Sequence, residues 1–219
     1  MTEILSNWWG WSPQLLNGLV VSLKLTGIAL ALGLPLGLMC ALAASARNTA
    51  LRCVAIAAVE IGRGAPALVV LQMVYYGLPS SGLNLNAFTS GAIALALTTA
   101  AYTSEILRAG LNAVPHREIE AGRALGLTNA DTLRFVVIPQ GVLFAIPGLM
   151  GFSILIFQAT ALTFTIAVPE LLARAYRIGA ATYLYLDVLI LAGLFYLAIT
   201  IPFGWLVTWT ERYLGRHLG

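Results

Sequence analysis

Long apolar runs separated by short polar breaks make up most of the chain, and the runs are too long to be the half-buried stripes of a soluble fold. Five of them, approximately residues 14–42, 54–78, 87–108, 140–168 and 184–208, reach the roughly 20 residues of helix that cross a bilayer core about 30 Å thick. The pattern predicts an all-α polytopic membrane protein, one transmembrane domain over residues 1–219 with five transmembrane helices. The fourth run is unusual. Its apolar character extends from Val136 to Val168, about 50 Å as a single helix, which is too long for one straight crossing. Pro139 and Pro147 therefore predict a short lead-in segment split from the span proper.

The polar residues inside the runs are the candidates for chemistry. In the second span Glu60 and Arg63 stand one helical turn apart, beside the interruption made by Gly62, Gly64 and Pro66. They read equally as a self-neutralising packing pair or as the wall of a polar pathway. Glu105 and Arg108 repeat the spacing at the end of the third span, where an interfacial ion pair is the simpler reading. The fourth span holds Gln158, Thr160, Thr163 and Thr165. A threonine can be satisfied by its own helix backbone. Gln158 has no such local solution and is expected to face protein or water, so Gln158 and Thr160 are pathway candidates. Lys24, in the first span, is expected to snorkel or to pack against protein. After Pro169, Glu170, Arg174 and Arg177 fall on one face and Leu171, Leu172, Ala175 and Ile178 on another, predicting an external amphipathic helix. Tyr176, Tyr183 and Tyr185 suit headgroup depth, and Asp187 opens the fifth span.

Composition agrees with this picture. The chain is 59% hydrophobic and 10% charged, whereas a soluble domain carries roughly a quarter charged residues. With five crossings, Arg47, Arg52, Arg117, Arg123, Arg134, Arg212 and Arg216 share one side, and only Arg174 and Arg177 the other. The positive-inside rule then places the N-terminus outside and the C-terminus in the cytoplasm. The net charge of +3 reflects this topology and implies no nucleic-acid partner. The opening MTEILSNWWGW lacks the basic region of a cleaved signal peptide, and Trp8, Trp9 and Trp11 read as an interfacial belt.

Enzyme signatures are missing. A phosphate-binding loop needs a lysine after glycine, and the only lysine, Lys24, follows Leu23. HExxH and GxSxG patterns are absent, and Cys40, Cys53, His116 and His217 suggest neither a disulfide nor a metal site. No catalytic residue, metal ligand or cofactor site is expected in this chain.

Residues 118–139 are charged in an otherwise apolar chain. Helix-favouring residues run from Arg117 to Leu125, Gly126 supplies a stop, and Thr128 with Asp131 forms a capping-box pattern for a second helix ending near Pro139. Two short helices joined at Gly126–Leu127 are predicted on the cytoplasmic surface. Glu120-Ala121-Gly122, then Gly126, then Val136-x-Ile138-Pro139 resembles the EAA loop of ABC importer permeases, with its spacing intact and Gly122, Val136 and Ile138 in place of Ala, Ile and Leu. Elsewhere Arg63-Gly64-Ala65-Pro66, Ala101-Tyr102-Thr103-Ser104-Glu105-Ile106, Val114-Pro115-His116 and Val168-Pro169-Glu170-Leu171-Leu172 are similar to the polar amino acid uptake family. Many members carry Lys-Asp-Thr-Ser-Leu where this chain has Gln158-Ala159-Thr160-Ala161-Leu162. That departure, with Ala180-Ala181-Thr182-Tyr183, most resembles the M-type subunits of histidine, lysine, arginine, ornithine and opine importers.

The resemblance implies a type I ABC importer transmembrane domain in a bacterial inner membrane. Its N-terminus would be periplasmic, its C-terminus cytoplasmic, and its coupling loop would occupy about residues 112–139. Glu120, Ala121, Gly122, Gly126, Leu127 and Pro139 would couple it to the ATPase; Glu60, Arg63, Glu105, Gln158 and Thr160 are pathway or substrate candidates. The implied partners are a second, homologous but different permease chain, two copies of a cytoplasmic ATPase that bind the ATP and Mg, and a periplasmic binding protein that delivers a polar or cationic amino acid. Any substrate contact the family makes through that Asp is absent here, where Ala159 stands in its place. Two other readings stand beside this one. Glu60, Glu105 and Asp187 would be the proton or cation sites of an ATP-independent secondary transporter or channel, or the chain would be a structural membrane subunit.

Overall fold

The computed structural model describes the backbone of residues 2–218 and the side chains of residues 6–215, so the side chains of Arg216 and His217 lie outside the described residues. Among the described residues the fold is entirely helical. The helices are α1 (Thr2–Ala44), α2 (Thr49–Gly64), α3 (Ala67–Gln72), α4 (Ala87–Asn112), α5 (His116–Ala124), α6 (Asn129–Thr132), α7 (Ile138–Ala159), α8 (Leu171–Thr182) and α9 (Tyr185–Leu218).

Three stretches are long and apolar enough to cross a membrane: Ser6–Ala44, Asn129–Ile166 and Tyr185–Gly215. The second apolar run is broken. Its two halves, Thr49–Gly64 and Ala67–Ser81, meet at 99°, because Pro66 cannot continue the hydrogen-bond ladder and forces extended backbone on Ala65. Counting this bent pair as one span makes a fourth.

The third run forms α4, which falls short of that apolar standard because Thr, Ser, Gly and an ion pair punctuate it. It is instead the central helix, buried along most of its length. Buried Thr98, Thr99 and Thr103 each donate to the carbonyl four residues back, which lets hydroxyls sit in an apolar interior. Small residues bring the neighbours close. A Cβ on Gly33 of α1 would fall 2.5 Å from Thr99 Cβ, and one on Gly37 would collide with the Thr103 hydroxyl. Across α4 and α7, Gly110 and Gly141 are similarly opposed: a Cβ on Gly110 would strike the Gly141 carbonyl.

Two expectations about the fourth run are corrected. Pro147 does not split it, but lies inside α7. The second helix of the charged segment does not stop near Pro139 either, because α6 passes through a π-helical turn at Leu133–Val137 straight into α7. Pro139 is tolerated at the start of α7, where its missing N–H is least needed.

The predicted amphipathic helix is present as α8, with Leu171, Ala175 and Ile178 buried against Leu15 and Leu19 of α1 and Val188 and Leu191 of α9. Trp8 and Trp11 pack onto the same cluster, while Trp9 is exposed. Glu170 departs from the expectation of an exposed polar face: it is fully buried and caps the helix. Lys24 is exposed on α1.

Candidate functional site

The charged segment is built as a jointed hairpin. α5 ends when Gly126 adopts φ +85°, a left-handed conformation that glycine reaches without steric penalty. Gly126 N–H donates to the Arg123 carbonyl at 2.9 Å, and Leu127 N–H to the Gly122 carbonyl at 3.1 Å, the paired bonds of a Schellman turn. Thr128 caps α6: its hydroxyl oxygen accepts from Asp131 N–H at 3.2 Å while its O–H donates to the Asp131 carboxylate at 2.5 Å. The capping pattern read from Thr128 and Asp131 is therefore realised. Gly122 is buried at the inside of the joint, near Leu127, Thr132 and Val136; Glu120, Ala121 and Pro139 are exposed, and Leu127 is half-buried.

Two apolar residues that sequence reasoning passed over stand out at this joint. Leu125 is 84% exposed and Phe135 is 61% exposed, with the Arg134 guanidinium 5.3 Å from the Phe135 ring centroid. Leu125 immediately precedes the glycine stop, and that position was the one available signal. The charged hairpin thus carries exposed apolar side chains at Leu125 and Phe135.

The ionisable residues of the spans converge across helices. Arg63 of α2 lies 3.6 Å from Glu60 and 3.8 Å from Glu105 of α4. Arg108 holds the Glu105 carboxylate with two bonds, at 2.6 and 3.1 Å. The two predicted pairs therefore form one chain of four charges. The Tyr102 phenol donates to the Arg63 carbonyl at 3.1 Å, at the elbow between α2 and α3, and its ring stacks on Phe152 of α7. A Cβ on Gly62 would fall 2.8 Å from that of Ala101, so glycine there permits the close approach of α2 to α4.

Gln158 and Thr160 are not part of this chain of charges. Gln158 is exposed in the single chain. Thr160 is fully buried, and its hydroxyl donates to the Phe157 carbonyl at 2.6 Å, the local solution available to threonine. Its side chain lies against Tyr196, beside the buried Glu170. A further polar tie that the sequence did not signal links the bent span to the end of α7: Gln72 donates to the Thr165 hydroxyl at 2.9 Å. Asp187 sits in the first turn of α9, where the helix dipole favours it, and makes no ion pair with Arg63 or Arg108. Among the described residues no group of three or more His, Cys, Asp or Glu side chains is placed to hold a metal.

Comparison with known proteins agrees with this arrangement. Residues 33–218 match the family described as the inner membrane component of binding-protein-dependent transport systems. The arginine transport system permease protein ArtQ of Bacillus subtilis (strain 168) is 33% identical over 203 residues, covering 92% of this chain and 93% of that protein. The nopaline transport system permease protein NocM of Agrobacterium fabrum is 35% identical over 217 residues, covering 94% and 90%. A crystal structure of an amino acid ABC transporter with histidines superposes with a TM-score of 0.89 at 36% identity, covering 96% of this chain and 98% of that one. With its jointed charged hairpin and its α4-centred bundle, the chain belongs to the family of inner membrane components of binding-protein-dependent transport systems, among relatives that are permeases of amino acid ABC transporters.

Proposed function

We propose that this chain is one half of the membrane pathway of an ATP-driven importer for polar or cationic amino acids, the class that includes histidine, lysine, arginine, ornithine and opines. The observation that carries the reading is the hairpin at Gly126, whose second arm runs without interruption from Asn129 into a membrane-length helix. A force applied to such a hairpin moves a rod, not a loop. That is what a subunit needs if the energy is released in another chain.

The proposed topology has five crossings, counting the bent α2–α3 pair and α4, with the N-terminus periplasmic and the C-terminus in the cytoplasm of a Gram-negative bacterium. The assembly pairs this chain with a homologous but different permease, two ATPase subunits that bind ATP and Mg, and a periplasmic binding protein. Glu120, Leu125, Gly126 and Phe135 lie on or beside the ATPase-docking face. Docking movement would tilt the α6–α7 rod, and the Gly110–Gly141 contact would pass that tilt to α4. On α4, Glu105 sits between Arg108 and Arg63 and so registers any shift between α4 and α2. Opposite charges fixed on neighbouring helices favour a few discrete pairings, which suits a two-state gate. Arg108 argues against Glu105 as a proton site of the ATP-independent reading, because a carboxylate held by bidentate arginine is a poor proton carrier.

The test is co-purification with the products of neighbouring reading frames, followed by ATPase assays across a panel of amino acids. Stimulation by a cationic amino acid together with its binding protein is expected. ATP hydrolysis by this chain alone, free of contaminating ATPase, would overturn the reading.

A further inference from the structure

A cavity of about 720 Å³ opens between the end of α1, the end of α4 and the inner face of the coupling hairpin. Its polar lining combines basic side chains with the neutral Ser45, Asn112, Asn129 and Thr132. Arg47, His116 and Arg123 contribute to it, and no carboxylate does. Neither Arg47 nor Arg123 has a carboxylate within salt-bridge distance among the described residues, and the hydrogen-bond partner of Arg123 is the neutral side chain of Asn129 at 3.3 Å. Two exposed guanidinium groups without a carboxylate partner thus flank one cavity, and together they favour an anion there.

The rest of the lining indicates which anion. Leu42, Leu111 and Val137 line the cavity and also belong to the apolar cluster formed with Ala41, Leu107 and Ala145. The apolar helix α1 ends at Ala44, just before Arg47, so the arginine stands at the depth where acyl chains give way to headgroups. An acidic side chain from a soluble partner would match the arginines and leave the apolar floor unfilled. A glycerophospholipid fills both parts. On α5 the cavity is lined by His116, Ile119 and Arg123, whereas Glu120 does not line it.

We propose that this cavity binds the phosphate headgroup of an anionic phospholipid of the cytoplasmic leaflet. The phosphate oxygens accept from Arg47 and Arg123, and the glycerol and upper acyl carbons lie over Leu42 and Val137. The side of the membrane rests on the topology proposed above; the identity of the transported amino acid plays no part. A lipid wedged between α1 and the hairpin would hold the joint against the membrane surface and make coupling sensitive to lipid charge.

The test uses the complete complex with its ATPase subunits, reconstituted in vesicles of equal parts phosphatidylglycerol and phosphatidylcholine. It is then extracted gently, and retained lipid is counted by native mass spectrometry. Wild type should retain phosphatidylglycerol over phosphatidylcholine. Arg47→Gln and Arg123→Gln should each lower that retention by about five-fold, and the double variant by about twenty-five-fold. Arg47 lies in an exposed turn, so Arg47→Gln tests the site without risk to folding. Undiminished retention in the double variant overturns the proposal. So does displacement of the lipid by inorganic phosphate alone, which would make this a free-phosphate site. Loss of the ATPase subunits with lipid retention unchanged would assign the arginines to partner docking and likewise overturn it. Failure of amino acid stimulation would count against the transport reading and leave these lipid counts unaffected.

Discussion

Tyr196 of α9 donates its phenol O–H to the carboxylate of Glu170 at 3.3 Å, and this contact ties the last membrane helix to the N-terminus of α8 across 26 residues of sequence. The same carboxylate accepts from the backbone N–H groups of Leu172 at 2.8 Å and Ala173 at 2.7 Å. On the α1 side, the Ser22 hydroxyl accepts from Leu171 N–H at 3.3 Å. Glu170 is thus a helix cap and a three-helix junction at once.

Removing it should be felt as lost stability. Glu170→Ala removes the acceptor of two part-buried N–H groups, and should destabilise the chain by about 2 kcal/mol. Tyr196→Phe removes the phenol's bond to Glu170 and should cost about 1 kcal/mol. Thermal unfolding in detergent, followed by circular dichroism, checks both; a Glu170→Ala midpoint equal to wild type would remove the junction from the account.

The junction also predicts a pH dependence. Burial pushes the Glu170 carboxyl up to about 7, against the backbone N–H groups of Leu172 and Ala173 and the side chains of Tyr196 and Ser22, which favour the charged form. Arg174 is also nearby on α8, and its Nε is buried with no hydrogen-bond partner. A carboxyl whose folded pKa lies above its unfolded value of about 4.5 binds its proton more tightly when folded. Its contribution is therefore full below about pH 4.5 and is lost as pH rises through about 7. Glu170→Gln should flatten that slope in unfolding midpoints measured across the interval. An unchanged slope would show that other groups set it.

At the hairpin, Gly122 stands where the family pattern has alanine. A Cβ there would lie 3.4 Å from Leu127 and 3.6 Å from Thr132 and Val136, which is ordinary contact. Gly122→Ala should therefore be accepted and should stabilise α5 by roughly 0.5–1 kcal/mol through helix propensity. Uptake unchanged, with an equal or higher unfolding midpoint, is the expected outcome. A marked loss of uptake would mean that the hairpin needs glycine there for motion.

Among the pathway candidates, Glu105→Gln should cut the charge chain between Arg63 and Arg108 while leaving the residue's shape, and Gln158→Leu should change a polar surface that the single chain leaves exposed. Both should alter uptake kinetics more than the yield of assembled complex. Normal kinetics in an intact complex would exclude the residue concerned from the pathway.

Much of this was legible in the sequence because it is local. Glu60 with Arg63, Glu105 with Arg108, and Thr128 with Asp131 are bonded at helical spacings, and Gly126 stops a helix by backbone preference alone. What could not be read is the meeting of distant elements. Arg63 reaches Glu105 only because Gly62 lets α2 approach Ala101, and no periodicity encodes that contact. Helical spacing puts Glu170 with Arg174 and Arg177 on the polar face of α8, but an N-cap lies before the helical face begins, and here it is buried. Pro147 looked like a break because proline removes one hydrogen bond; a membrane helix packed against protein can absorb that loss.

The central claim is that the hairpin couples this chain to a separate ATPase, and Gly126→Val tests it most directly. Open space surrounds Gly126, so valine meets no steric obstacle from neighbours; the strain comes from φ +85°, on the order of 2 kcal/mol for a β-branched residue. Membrane insertion should remain nearly normal, because the joint lies outside the apolar helices. In the reconstituted complex, the measurement is the amount of ATPase subunit retained and the amino acid taken up per ATP hydrolysed. The account predicts that Gly126→Val lowers at least one of these clearly, with Glu120→Ala showing a milder form of the same defect. Wild-type values on both counts for Gly126→Val would contradict it.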